Sequence, residues 1–248
     1  MISISQRFQQ ILLVFFISGS LLFLDLLNSV IMTFVFVLSG WIVSLCLHEF
    51  GHAYAAYKGG DRTIAQMGYL SFDPLKYVHP QMTLLMPIII LILGGIGLPG
   101  GAVYINTFLI RDKRWVSFSS AAGPLATFAF LIFLQIPVWL GLDRVIGAPE
   151  FWYAWSYLAL IEVTVLVFNL LPVPGLDGYG IIEPFLPHKL AMSLWSSKTF
   201  APLVLLAVMM LLPPVRNGFW NLTDLLGSLL GLQIDYAYFG MRAFFFWR

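Results

Sequence analysis

The sequence predicts an all-α polytopic membrane protein of about six transmembrane helices, with a re-entrant glycine-rich excursion after the second. Three observations carry that prediction. The 248-residue chain is 60% hydrophobic and only 10% charged, whereas a soluble domain is roughly one-quarter charged. Its apolar residues gather at 11–27, 30–57, 82–98, 117–142, 151–171 and 201–212, and a span needs about 20 such residues to cross a core of about 30 Å. Lysine and arginine also collect at alternate segment ends, as the positive-inside rule requires. The net charge of +1, with no basic run interleaved with aromatics, excludes nucleic acid as a partner.

The first segment, 11–27, follows a short polar stretch and imitates a signal peptide. It lacks a polar region with a small-residue cleavage site, so it is expected to stay as an uncleaved span. Segments 30–57, 117–142 and 151–171 span comfortably. Segment 82–98 differs, because Pro87 interrupts it and Gly94, Gly95, Gly97, Pro99, Gly100 and Gly101 close it. Both its flanks are basic, with Lys58, Arg62 and Lys76 before it and Arg111, Lys113 and Arg114 after it. Two ends on one side of the membrane call for a re-entrant path; the competing reading is an ordinary short, kinked helix. Residues 201–212 form a short last segment, and 219–232 an amphipathic stretch.

Threading the chain by the same rule puts Arg7 in the cytoplasm, the turn at 27–30 outside and His52 near the cytoplasmic face. Asp143 and Arg144 then fall outside, while Asp177, Lys189 and Lys198 fall inside. Trp152, Trp155, Trp195, Trp220 and Trp247 are expected as interface anchors. The cell membrane is the expected location, with the N-terminus toward the cytoplasm. No repeat, low-complexity tract or appended soluble module is visible, so residues 1–248 read as a single membrane domain. Its core is 30–190, preceded by an additional span in 1–29 and followed by spans or amphipathic helices in 191–248.

The chemistry concentrates in His48, Glu49, Phe50, Gly51 and His52, which spell HEFGH in the last turns of the second segment. Positions i and i+4 share a helix face, so His48 and His52 can bind one metal while Glu49 beside them activates water. The bland alternative is a chance match with two histidines snorkelling to the interface, but ionisable groups at bilayer depth are costly unless they pair, bind ions or catalyse. Cys46, the one cysteine, excludes an intrachain disulfide and any cysteine-rich cluster. It lies on nearly the opposite helix face from His48 and reads as a packing residue.

Two histidines leave a catalytic zinc short of its usual three protein ligands. Asp177 is the best carboxylate, in the stretch Phe168, Asn169, Leu170, Leu171, Pro172, Val173, Pro174, Gly175, Leu176, Asp177, Gly178 at the cytoplasmic end of the fifth segment. Pro172 and Pro174 stop the helix and Gly175 and Gly178 allow tight turns, so a non-helical strand is expected to present Asp177. Histidine and carboxylate donors suit zinc, yet iron or cobalt also fits. Glu162 and Gln135, both within spans, are expected to pair or line a path; Asp25 is expected at the hydrated outer interface, and His79 and His188 in loops.

With these elements the sequence resembles the site-2 protease family of intramembrane zinc metalloproteases. The family joins HExxH on one helix to an N-x-x-P-x-P-x-x-D-G element on a later one, here 169–178, with A-G-P-L-A between them, here 122–126. The resemblance covers roughly residues 30–190. It implies that His48, His52 and Asp177 bind one Zn2+ per chain and that Glu49 is general base and acid. It implies too that Asn169 holds substrate or stabilises the oxyanion, and that the stretch ending at Pro99, Gly100, Gly101, Ala102 and Val103 is a membrane-embedded β-hairpin that adds a strand to an unwound substrate. The whole chain would then be one protease domain of the compact form, without a PDZ-like or CBS-like module. Its substrate would be a transmembrane protein, a membrane-tethered regulator released to the cytoplasm. One departure stands out: the family commonly has Asn shortly after A-G-P, where this chain has Thr127. A metal transporter or sensor, and a catalytically silent scaffold, are the competing functions.

Overall fold

The computed structural model describes residues 2–77 and 103–247. Among them the regular structure is helical, without a strand: α1 (Gln6–Phe23), α2 (Ser29–Gly59), α3 (Thr63–Gln66), α4 (Lys113–Trp139), α5 (Leu142–Val145), α6 (Pro149–Asn169), α7 (Asp177–Ile182), α8 (His188–Trp195), α9 (Ala201–Leu211), α10 (Pro213–Leu229) and α11 (Ile234–Phe244). Four of these, α1, α2, α4 and α6, are long and apolar enough to cross a membrane. A fifth span results if α9 and α10, bent by 101° at Leu212, are taken as one. The segment at 82–98, with its re-entrant reading, lies outside the described residues.

Polar caps set the helix ends that hydropathy leaves open. Ser5 accepts from the Phe8 amide at 3.1 Å, so α1 starts five residues before its apolar run. Asn28 accepts from the Val30 and Ile31 amides at 3.1 and 3.2 Å and starts α2, and Asp112 accepts from Trp115 at 2.9 Å to start α4. Pro149 opens α6, where a missing amide costs nothing.

Packing is centred on α6, which is apolar all round and buried along most of its length by α2, α4 and α11. In a bilayer close packing rather than water exclusion joins helices, so small residues mark the tightest crossings. At Gly51 an added Cβ would come within 2.5 Å of the Ala122 carbonyl oxygen, so α2 meets α4 backbone to backbone there. Cys46 is buried in the main apolar core. Trp152 corrects one expectation: it is buried rather than interfacial, with its indole N–H donated to the Ile146 carbonyl at 3.2 Å, while Trp195 and Trp247 are exposed.

The end of α2 is a junction. The Ser3 and Ser5 amides donate to Leu70 and Ser71, at 3.1 and 2.9 Å, and Arg7 pairs with Asp73 at 2.9 Å. These contacts put the N-terminus on the same face as the loop after α3. Asp61, fully buried, accepts from Thr63 and, at 2.8 Å, from the Asn106 amide. The Arg111 amide donates to Gly59 at 3.0 Å, so the residues on both sides of 78–102 are gathered at this one end of α2.

Candidate metal centre

Two stripes of residues four apart face each other where α2 crosses α4. Ser44, His48 and His52 lie on one face of α2, and Ser119, Gly123 and Thr127 on one face of α4. His52 Nδ1 lies 2.7 Å from the Ser119 carbonyl oxygen, and His48 Nδ1 lies 2.9 Å from Thr127 Oγ1. A carbonyl only accepts, so Nδ1 of His52 carries the hydrogen and Nε2 of the neutral ring keeps its lone pair. Between these contacts Gly123 leaves the room that the His52 ring occupies: a Cβ there would collide with it. Pro124 removes one amide from the helical ladder at this turn.

The third donor comes from beyond α6. Leu170 to Leu176 form a non-helical connection in which Gly175 has φ +92 and packs against the Lys198 carbonyl, where a Cβ finds no room. The expected strand is not what presents Asp177. The Leu176 amide turns back to Val173 at 3.0 Å, the Gly180 amide bonds Leu176 at 3.1 Å, and Asp177 becomes the first residue of the short helix α7. The prolines end α6 as expected, but the amides after Pro174 are free to restart a helix at once. Ser117 then ties α7 to α4 by donating to the Ile181 carbonyl at 2.7 Å.

These contacts bring the predicted donors together. His48 Nε2 and His52 Nε2 are 3.0 Å apart, Asp177 Oδ2 is 3.2 Å from the first and Asp177 Oδ1 3.3 Å from the second. One donor atom from each residue falls within 4.8 Å of the other two, the one such group of His, Cys, Asp or Glu among the described residues. Both histidines are buried, and Asp177 Oδ2 has no hydrogen-bond partner among the described residues. Burial favours the protonated Asp177 carboxyl, but the positive charge and N–H donors that His52 and His48 offer when protonated outweigh it and hold the carboxyl well below the ordinary carboxylate range. Two imidazole nitrogens and a carboxylate converge on one point, with both Nδ1 atoms held against α4, an arrangement that could hold a zinc ion.

Glu49 is buried beside the histidines and takes a hydrogen bond from the Val103 backbone amide. Asn169 is the last residue of α6, buried, with its Nδ2 unpartnered among the described residues. It stands one turn beyond Val165, which lines a small cavity with His48. The expected pairing of Glu162 with Gln135 does not form. Glu162 accepts from Ser44 instead, and neither polar atom of the Gln135 amide finds a partner among the described residues. Asp25 and His188 are exposed, and His79 lies outside the described residues. Sequence reasoning missed Ser44 and Ser119, although the i, i+4 stripes on the two helices were there to be read.

Relatives settle the ancestry of this arrangement. A protein of Mycolicibacterium smegmatis named "Putative zinc metalloprotease Rip2" is 42% identical over 192 residues, 76% of this chain and 71% of that one. Its namesake in Mycobacterium tuberculosis is 41% identical over 214 residues, 86% of this chain and 81% of that one. The chain belongs to the site-2 protease family. A more distant relative, "Putative zinc metalloprotease YwhC" of Bacillus subtilis, is 30% identical over 175 residues, 67% of this chain and 76% of its own. No family model and no solved structure matches the chain.

Gly123→Ala tests the packing logic of the family's A-G-P-L-A element. The new methyl is expected to displace the His52 ring and weaken zinc binding by about 10–100-fold, as loss of an outer contact to a ligand does. Competition with a chromophoric chelator measures it.

Proposed function

We propose that this chain is an intramembrane zinc metalloprotease, hydrolysing a peptide bond within or near the transmembrane segment of a membrane-protein substrate. The observation that carries the reading is the convergence of His48 Nε2, His52 Nε2 and the Asp177 carboxylate at the end of an apolar helix, with Glu49 beside them. In this reading the three donors hold one Zn2+ per chain. Zinc bound there supplies Lewis acidity, acidifying a water and polarising the scissile carbonyl.

The chain's own residues supply the rest. Glu49 takes the proton of the attacking water and returns it to the leaving amine. The Val103 amide holds the Glu49 carboxylate in place between these transfers. Asn169 offers its Nδ2–H to substrate backbone or to the developing oxyanion, a contact worth about 3 kcal/mol where it serves that role.

The membrane arrangement extends the same reading: a single protease domain over 1–248, about six spans, and a cell-membrane location with the N-terminus and active site toward the cytoplasm. The re-entrant β-hairpin is supported by its flanks, which meet at the end of α2 around Gly59 and Asp61. The 25 residues at 78–102 are too few for two spans of about 20 each. A membrane-tethered regulator is the proposed substrate class. A transport pathway would need further ligands along its length, and the described residues hold one such group.

The reading is tested by reconstituting the purified chain in liposomes with tagged single-span proteins and mapping products by mass spectrometry. Cleavage within or at the border of the span is expected. Cleavage confined to extramembrane loops would contradict it.

A further inference from the structure

One buried acid has no part in the chemistry above. Glu162 lies in the middle of α6 with no exposed surface, accepts from the Ser44 hydroxyl, and keeps Oε1 unpartnered among the described residues. It shares the lining of a cavity of about 10 Å³ with Ser44, His48 and Thr127, walled by Trp41, Leu45 and Val165. That volume is at the threshold for one water, and the polar lining offers such a water several partners.

The cavity matters because of an ambiguity at His48. His52 is bonded to a carbonyl, which fixes its tautomer, but His48 is bonded to a hydroxyl, which both donates and accepts. If Thr127 donates to His48 Nδ1, the neutral ring carries its hydrogen on Nε2, and Nε2 has no lone pair for a metal. Ligation therefore requires the Thr127 hydroxyl to accept from Nδ1–H and to send its own hydrogen elsewhere. Buried hydroxyls on the spanning helices commonly send it to the carbonyl four residues back: Thr164 to Leu160, Ser18 to Val14 and Ser39 to Val35 do so, at 2.7, 2.8 and 2.6 Å. Ser44 does not; it donates across the helix interface to Glu162. Thr127 is the other hydroxyl bordering this cavity, and it lies against His48 Nδ1.

We infer that Glu162 is a positioning residue: with Ser44 and one water in the cavity, it draws the Thr127 hydroxyl hydrogen away from His48, so that His48 presents its Nε2 lone pair to the metal. The inference rests on the proposed zinc site. Glu162 touches neither metal nor substrate; it acts through Thr127. The device also accounts for Thr127 itself. An asparagine at that position keeps acceptor and donor on separate atoms, so its oxygen turned to Nδ1 can only accept, whereas a hydroxyl does both from one atom and needs a second group to orient it.

The test measures zinc affinity by chelator competition on the purified full chain, with the visible spectrum of the cobalt-substituted protein as a second readout. Wild type, Glu162→Leu, Ser44→Ala and the double variant Thr127→Asn/Glu162→Leu are compared, with His48→Ala as reference. Glu162→Leu is expected to weaken zinc binding by about 10–100-fold and to alter the cobalt spectrum. Ser44→Ala should shift both in the same direction. Thr127→Asn should restore affinity and spectrum in the Glu162→Leu background, which a purely structural role of Glu162 does not predict. The inference is overturned if Glu162→Leu folds and keeps the wild-type affinity and spectrum, or if Thr127→Asn fails to rescue a weakened protein. Should Glu162→Leu not fold, Ser44→Ala decides alone, and wild-type behaviour there overturns the inference. A wild type that binds no metal, or whose binding survives His48→Ala, removes the zinc site itself and with it this proposal; intact binding that ignores Glu162 removes the proposal only.

Discussion

Glu49→Gln is expected to slow peptide hydrolysis by about 10²–10⁴-fold, the usual contribution of a general base and acid, while metal content stays at the wild-type level. The asymmetry follows from the geometry. Glu49 is not among the three residues whose donor atoms converge, so its amide replacement leaves His48, His52 and Asp177 in place. Glutamine fills the same buried volume and retains an oxygen to accept from the Val103 amide, but it cannot take a proton from water. Steady-state kinetics alongside metal analysis separates this from unfolding, because an unfolded protein loses metal and activity together. Equal loss of zinc and of cleavage in Glu49→Gln would make Glu49 a structural residue.

Asp177→Ala is expected to fail at the earlier step. It removes one of three donors, so its cost in zinc affinity should exceed the roughly 10–100-fold typical of losing an outer contact to a ligand. It also leaves two buried imidazole nitrogens 3.0 Å apart without the carboxylate that faces both. Cleavage should fall with metal content and recover in part at high zinc, a recovery that Glu49→Gln must not show. Chelator competition and zinc titration of activity measure the two effects. An Asp177→Ala protein with wild-type zinc affinity would exclude Asp177 as a ligand.

The cluster of His48, His52 and Asp177 was legible in the sequence because it depends on spacing. His48 and His52 are one helical turn apart, and the proline and glycine punctuation around Asp177 marks a chain that must turn back at the membrane face. The segments 30–57, 117–142 and 151–171 became α2, α4 and α6 because a bilayer demands length and apolarity, and both are visible residue by residue. What was not legible depends on partners distant in sequence. The form of the Asp177 support, a restarted helix rather than a strand, is set by Ser117 and by the Lys198 carbonyl packed on Gly175. The partner of Glu162 is Ser44 rather than Gln135, since the choice depends on how α2 and α6 are rotated against each other. Likewise Ser119 acts through its backbone carbonyl, which any residue type supplies, so composition carries no trace of it.

A strip-and-restore experiment on the wild-type chain and Glu49→Gln, reconstituted with a tagged single-span substrate, shows whether zinc and Glu49 together carry the hydrolysis. Zinc is removed with chelator and added back in steps while cleavage and bound metal are followed together. Both proteins are expected to regain about one zinc per chain, and only the wild type to regain cleavage, in proportion to zinc bound. Cleavage by the stripped protein, or equal cleavage by both proteins after zinc is restored, would contradict it.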